Sequence, residues 1–468
     1  MNLRNLDSVN FKLLILTLLF SLLPAFSQDE LDLKIGQMII VSFAPGTDFE
    51  DTLYYDIEHR NLGGVILFSY NLHDPVQITN LTSNLQNSAT IPLLIVTDQE
   101  GGYVARLDEN NGFAETHSAY QLGTVIDNED STRSQANMMA QWLFDSGINT
   151  NLAPVVDVNV NPSSPAIGYH ERSFSADPIK VFNHADWFIS EFENFNLIST
   201  LKHFPGHGSA EQDSHLGFTN ITTTWADSEL VPYQGLISAG YSDMIMVGHL
   251  YNAHLDSIHP ASLSESVITG LLRDSLGFQG VVTSDAMFMR AITDNYSFEE
   301  AIVLAINAGT DLLLYTSNEY NGSSLVAEVA RVIRNSIDEG VISQNQIEES
   351  YLRIMAMKTR ITGLASKTEK SIPESFSLHQ NYPNPFNPIT TIKYLLPIRS
   401  DVQITVFDLL GKQVVILKSE TQDAGYKSVQ WDASNVASGM YFYQIRVYDP
   451  DAIGAGEYVQ TRKMILLK

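Results

Sequence analysis

From about Leu31 to Gly363 the chain repeats one cadence: a short run of aliphatic and β-branched residues, a polar break, then a stretch with helical spacing. Eight such runs are predicted strands, at residues 38–43, 64–68, 93–97, 148–156, 197–201, 244–247, 280–283 and 311–315. They are mostly continuous rather than alternating, as parallel strands covered on both faces should be. Helical spacing is clearest at 131–144 and 298–308. Eight strands with crossovers over roughly 330 residues predict an α/β fold of the (β/α)8 TIM-barrel type. A doubly wound open sheet remains the alternative, because periodicity carries no information on closure; no Gly-x-Gly-x-x-Gly follows the first strand, which weakens its dinucleotide-binding version.

After Gly363 the cadence stops. Residues 367–371 read as a linker, and Asn381-Tyr382-Pro383-Asn384-Pro385-Phe386-Asn387-Pro388 is too rich in proline for a helix or a central strand. Beyond it the period changes to two, at 391–394, 402–407 and 441–447, with Gly411 and Gly439 marking turns. A small all-β sandwich is the expectation. The predicted division is a signal peptide at 1–27, the barrel at 28–366, a linker at 367–380 and the β-sandwich at 381–468. The first of these rests on the basic start Arg4 and Lys12, the apolar run 13–23 and the small-x-small site Ala25-Phe26-Ser27. The run is too short for a comfortable span, so an exported protein without stable membrane insertion is expected.

Charge reinforces that division. The net charge is −27, yet residues 372–468 carry nine basic and nine acidic side chains, and residues 1–27 have a balance of +1. The acidity belongs to the central unit alone, and it disfavours nucleic acid and anionic lipid as partners. The chain has no cysteine, which excludes a disulfide framework, a thiolate metal site and a cysteine nucleophile.

Ionisable residues recur where the predicted strands end: Asp98, Lys202-His203, His249 and Asp285. That is the barrel face on which loops from several strands converge. Lys202-His203-Phe204-Pro205-Gly206-His207-Gly208, followed by Asp213-Ser214-His215, is the densest cluster. Position alone leaves Asp285 open as a nucleophile or as a helix N-cap. A facing Lys-His tips the reading toward chemistry. An imidazole such as His215 can give a proton and take it back, and Asp213 two residues away can fix its tautomer. His203 and His207 are four apart, but Pro205-Gly206 between them breaks the helix that a metal pair would need, so no metal and no cofactor are expected. His207 is read as shaping the loop through hydrogen bonds. A Ser-His-Asp hydrolase is disfavoured, since no Gly-x-Ser-x-Gly elbow is present.

The segment 202–208 with Asp213-Ser214-His215 resembles the signature of glycoside hydrolase family 3, in its β-N-acetylglucosaminidase branch. Gly63-Gly64-Val65-Ile66-Leu67-Phe68, Asp98-Gln99-Glu100-Gly101-Gly102, Ala153-Pro154-Val155-Val156-Asp157, Arg172-Ser173-Phe174 and Ser284-Asp285-Ala286-Met287 extend the resemblance over the central unit. It implies Asp285 as the nucleophile that forms a covalent glycosyl-enzyme, His215 as general acid/base paired with Asp213, and Asp98, Arg106, Arg172, Lys202 and His203 as holders of the terminal sugar's hydroxyls. Retention through two inversions is the implied outcome. Two departures stand out: Tyr103 follows the Gly-Gly pair where the family commonly has arginine, and Tyr169-His170-Glu171 lengthens the segment before Arg172.

The tail has a resemblance of its own. The 381–388 opening, Trp431-Asp432, Ser438-Gly439-Met440-Tyr441 and the closing 463–468 resemble a C-terminal sorting domain of the type IX secretion system, which implies that machinery as a partner and passage to the cell surface or medium. The expected function is an exported, retaining exo-β-N-acetylglucosaminidase acting on chitin- or peptidoglycan-derived oligosaccharides. A phosphorylase using the same residues, or a non-catalytic surface glycan-binding protein, are the alternatives.

Overall fold

The computed structural model describes residues 28–44, 48–361, 376–378, 381, 384, 386–448 and 458–467; the predicted signal peptide and most of the predicted linker lie outside them. Eight short strands frame the central unit: β1 (Ile39–Val41), β2 (Gly64–Ile66), β3 (Leu94–Thr97), β4 (Thr150–Asn151), β5 (Thr200–Phe204), β6 (Met244–Val247), β7 (Val281–Ser284) and β8 (Leu313–Tyr315). All their pairings are parallel. One sheet runs β8-β1-β2-β3-β4 and the other β5-β6-β7. Isolated parallel bridges join the sheets at both ends, Thr150 to Ile198 and Val155 to Lys202 on one side, Thr283 to Leu312 on the other. Every residue of the eight strands is buried, and this is why the runs read as continuous rather than alternating.

Two predicted strands come out differently. Of 148–156 only Thr150–Asn151 joins the ladder, and pairing resumes as a single bridge at Val155; Pro154 between them has no N–H to give. The fifth strand is displaced from 197–201 to Thr200–Phe204, so Lys202 and His203 lie within it rather than after it. Its ladder with β6 shifts register between Leu201 and Phe204. Adjacent residues of a regular strand face opposite sides. The irregular register lets Lys202 and His203 line the same cavity.

The helices start and stop on local chemistry. In α1 (Glu129–Asp145) Asn128 caps the Ser131 amide; in α2 (Pro178–Glu193) Asp177 caps Ile179 ahead of Pro178. In α3 (Phe298–Ala308) Ser297 caps Glu300, and Gly309 ends the helix in the left-handed region at φ 107°. Two further helices follow, α4 (Leu325–Asp338) and α5 (Gln344–Ile361). The last ties the end of the unit to its beginning. From α5, Lys358 Nζ donates to Gln37 Oε1 and the Gly63 carbonyl, both at 2.7 Å, while Arg353 pairs with Asp311 and Arg360 with Asp243.

In the tail, β9 (Ile389–Leu396), β10 (Ser400–Phe407), β11 (Gln413–Gln422), β12 (Gly425–Asp432), β13 (Gly439–Tyr448) and β14 (Tyr458–Leu466) form two antiparallel sheets. One contains Ser377–Leu378, β9 and β12; the other runs β11-β10-β13-β14. Both feed one apolar cluster, with Ile392, Tyr394 and Trp431 from the first and Val402, Ile404, Tyr443 and Leu466 from the second. The proline-rich opening is fastened to the final strand: Phe386 exchanges backbone hydrogen bonds with Ile465 and Leu467, and Asn384 Oδ1 accepts from the Ile465 amide. Among the described residues no helix is long and apolar enough to cross a membrane.

Candidate active site

All eight residues to which the resemblance gave a catalytic or sugar-holding role line one cavity of about 670 Å³: Asp98, Arg106, Arg172, Lys202, His203, Asp213, His215 and Asp285. Its floor is a chain of ion pairs. Lys202 Nζ lies 2.8 Å from Asp98 and 2.6 Å from Glu100; Arg172 closes on Glu100 with two bonds, at 2.8 and 2.9 Å. Burial alone would raise both carboxyls, but Lys202 with Arg106 holds Asp98, and Arg172 with Lys202 holds Glu100, below the ordinary carboxylate range. Arg106 reaches Asp98 at 3.5 Å, sits over the Phe68 ring, and its buried Nε has no partner among the described residues. The loop carrying Arg106 is set by Gln99, whose side chain accepts from the Arg106 and Leu107 amides and donates to the Leu107 carbonyl.

Asp157, at the end of the fourth strand region, is fully buried and holds the segment after β5. Its carboxylate accepts from the His203 amide at 3.1 Å, His203 Nδ1 at 2.7 Å and the His207 amide at 2.7 Å. His203 Nε2 is consequently the nitrogen left facing Arg172, 3.4 Å away.

Asp285 follows β7 and is 9% exposed. It does not cap a helix; the next helical turn begins at Arg290 with Met289 at its N-cap, and Asp285 Oδ1 accepts the adjacent Ala286 amide, at 2.7 Å. Burial would raise its pKa, yet the surrounding imidazoles of His249, His203 and His215 together outweigh that and hold it at about 2. His249 is itself pushed toward the neutral form by burial. Its Nε2–H donates to the Ala286 carbonyl at 3.0 Å and its Nδ1 accepts from Ser262, so it fixes the turn that presents Asp285.

The rim carries the Asp213–His215 pair. Asp213 Oδ1 accepts both the His215 amide, at 2.9 Å, and His215 Nδ1, at 2.7 Å, which leaves Nε2 as the nitrogen able to exchange a proton with a ligand. The side chains are 20% and 58% exposed. Between them Ser214 is buried, and its hydroxyl meets His207 Nε2 at 3.1 Å. Burial lowers His207 to about 4, so this contact is made by a neutral ring. His254 and His259 do not line the cavity.

Two further contributors, Glu100 and Asp157, carried no assignment from the sequence, and His249, named there at a strand end, was given no role. Asp157 satisfies the same strand-end rule that found Asp98, His249 and Asp285. Glu100 lies two residues beyond such an end, where the rule loses its hold.

Residues 30–357 match the family described as the glycosyl hydrolase family 3 N terminal domain. The chain belongs to glycosyl hydrolase family 3. Residues 380–453 match the secretion system C-terminal sorting domain. Among curated relatives, beta-hexosaminidase A of Pseudoalteromonas piscicida is 33% identical over 327 residues, covering 65% of this chain and 54% of that protein. The beta-hexosaminidase of Tolumonas auensis is 36% identical over 271 residues, covering 56% and 78% respectively. The chain thus spans about half of the first relative's length. Solved structures that resemble it include a family 3 β-N-acetylglucosaminidase from a Paenibacillus species, with a TM-score of 0.66, 31% identity and coverage of 75% of this chain and 66% of that one. The β-N-acetylhexosaminidase of Beutenbergia cavernae gives a TM-score of 0.64 at 27% identity, covering 71% and 99%.

Proposed function

We propose that the protein is an exported, retaining exo-β-N-acetylhexosaminidase that removes terminal β-N-acetylglucosamine from oligosaccharides. The observation that carries this reading is an ionised, buried Asp285 and an imidazole–carboxylate pair opening on one cavity whose floor is lined with fixed donors and acceptors. Asp98, Arg106, Arg172, Lys202 and His203 hold the hydroxyls of the terminal sugar, with Glu100 fixing the two cations. Asp285 attacks the anomeric carbon while His215 Nε2–H gives its proton to the departing oxygen, and a glycosyl-enzyme forms. His215, now neutral at Nε2, takes a proton from water as that water attacks the same carbon; two inversions leave the configuration unchanged. Asp213 keeps the ring oriented and balances the imidazolium.

The frame behind this reading is a (β/α)8 barrel within residues 28–366, joined by 367–380 to a β-sandwich within 381–468. The bridges at both ends of the two parallel sheets support closure, and the single cluster shared by the two tail sheets supports the sandwich. The sorting-domain match supports export through the type IX machinery.

Incubation with a slow fluorosugar and intact-mass measurement tests the chemistry. The parent chain is expected to gain one sugar mass mapping to Asp285, and Asp285→Asn none; an adduct on any other residue refutes the nucleophile. His215→Ala is expected to lose on the order of 10²–10⁴ in kcat/KM on substrates with poor leaving groups and far less on activated aryl glycosides. Equal losses on both would remove His215 from the acid/base role.

A further inference from the structure

The cavity does not end at its ion-paired floor. Tyr103 and His170 stand on its rim with rings 6.0 Å apart and 66° between their planes, and Tyr169, outside the cavity lining, meets His170 edge-on at 5.1 Å and 84°. Tyr103 and Tyr169 are 69% and 73% exposed, so neither serves a core. The three rings are nevertheless firmly presented. Tyr103 sits in a tight turn closed by the Glu100 and Gly101 amides on the Val104 carbonyl. Gly101 and Gly102 in that turn have φ of 100° and 60°, and a Cβ on Gly102 would lie 2.7 Å from Ser118. Ser118 also donates to Glu171 at 2.7 Å, and the Glu171 carbonyl accepts from Tyr120. One strut therefore supports both segments that carry them.

Behind Tyr103 lies a second hollow of about 480 Å³, to which Tyr103 also contributes a wall. Its lining includes Asp108, Glu109, Glu115 and Glu171 and, among the described residues, no lysine, arginine or histidine. The floor of the first cavity balances its carboxylates with cations, whereas this outer hollow leaves its carboxylates without them.

We propose that Tyr103, buttressed edge-on by His170 and through it by Tyr169, presents a stacking platform for the sugar next to the scissile bond, and that the acidic hollow beside it favours a glucosamine unit bearing a free amine over an anionic one. This rests on the glycosidase reading above and names its substrate class: partly deacetylated β-linked glucosamine oligosaccharides. A pyranose presents a flat face of C–H groups to an aromatic ring, and a tyrosine offers that area with little entropy to lose. The hollow's negative field adds attraction for an ammonium and repels a lactyl or peptide carboxylate, most strongly at low ionic strength.

The test uses the full chain and four substrates: N-acetylglucosaminyl fluoride, whose leaving group is too small to reach the platform, and disaccharides in which N-acetylglucosamine is linked to N-acetylglucosamine, to glucosamine, or to a lactyl-bearing sugar. Tyr103→Ala is expected to lower kcat/KM on the disaccharides, through KM, by about tenfold more than on the fluoride, equivalent to about 1.4 kcal/mol. The parent chain is expected to prefer the glucosamine disaccharide over the lactyl one by at least about tenfold at low salt, with the gap shrinking as salt screens it. Combined Glu109→Gln and Glu115→Gln should narrow the same gap. Equal losses on fluoride and disaccharides, or an anionic substrate cleaved as well as the cationic one at low salt, overturns the proposal. A parent chain that leaves even the fluoride intact instead removes the glycosidase reading beneath it.

Discussion

Glu229 is fully buried beneath the segment that follows β5, and its Oε2 accepts the Gly208 and Ser209 amides at 3.0 and 3.3 Å while Oε1 has no partner among the described residues. Burial, with Asp157 nearby, raises its carboxyl from 4.5 to about 7. The folded chain therefore holds a proton that the unfolded chain has released, and this group's cost to stability grows as pH rises from about 4.5 to about 7. The full cost is about 3 kcal/mol. Glu229→Gln keeps an acceptor for the two amides and cannot ionise. Its melting temperature is expected to gain on the parent's between pH 5 and pH 8 in thermal melts; a gap that does not change with pH would show that this carboxyl is not the group responsible. Glu229 was not assigned from the sequence, and the reason is physical. It acts on backbone amides of a loop brought over it by the fold, 20 and 21 residues away along the chain, and no local spacing records such a contact. Asp98, Lys202, His203 and Asp285 were legible because a buried strand carrying an ionisable residue at its end is unusual within the sequence itself.

The segment from β5 to His215 divides into a packed part and an open part. A Cβ on Gly208 would fall 1.7 Å from the Val158 carbonyl oxygen, and one on Gly206, at φ 125°, 2.6 Å from Glu229 Cβ, so both positions require glycine. Trp225 Nε1–H donates to the Pro205 carbonyl from the far side. The open part is held to the packed part by the Ser214–His207 hydrogen bond. Ser214→Ala is expected to reduce kcat several-fold on substrates with poor leaving groups, with KM nearly unchanged, because it loosens the proton donor and leaves the sugar floor intact. Steady-state kinetics on poor and activated leaving groups checks this; an effect confined to KM would put the tether in binding instead. The sequence separated strand from loop three residues too early here. It could not register the slip between Leu201 and Phe204, which is a property of the pairing with β6 and not of β5 alone.

Across the whole chain the central unit closes on itself through α5, with Lys358, Arg353 and Arg360 each reaching an earlier segment. A chain ended after Ser366 is expected to keep kcat/KM within about twofold of the full chain, whereas one ended after Gly340 loses these ties and should fail to melt cooperatively. Activity and thermal melts on both truncations distinguish the outcomes. The change of period from continuous runs to alternation was legible in the sequence, because it follows directly from strands buried on two faces giving way to strands buried on one.

The unequal exposure of the imidazoles around the cavity has a chemical consequence. His203, His207 and His249 are 4%, 2% and 1% exposed, while His215 and His170 stand open. A histidine-acylating reagent therefore meets two targets at this site, and with His170→Gln in place only one. Inactivation should then follow a single exponential and be slowed by a bound sugar. In a chain without a single thiol, there is no cysteine to divert the reagent.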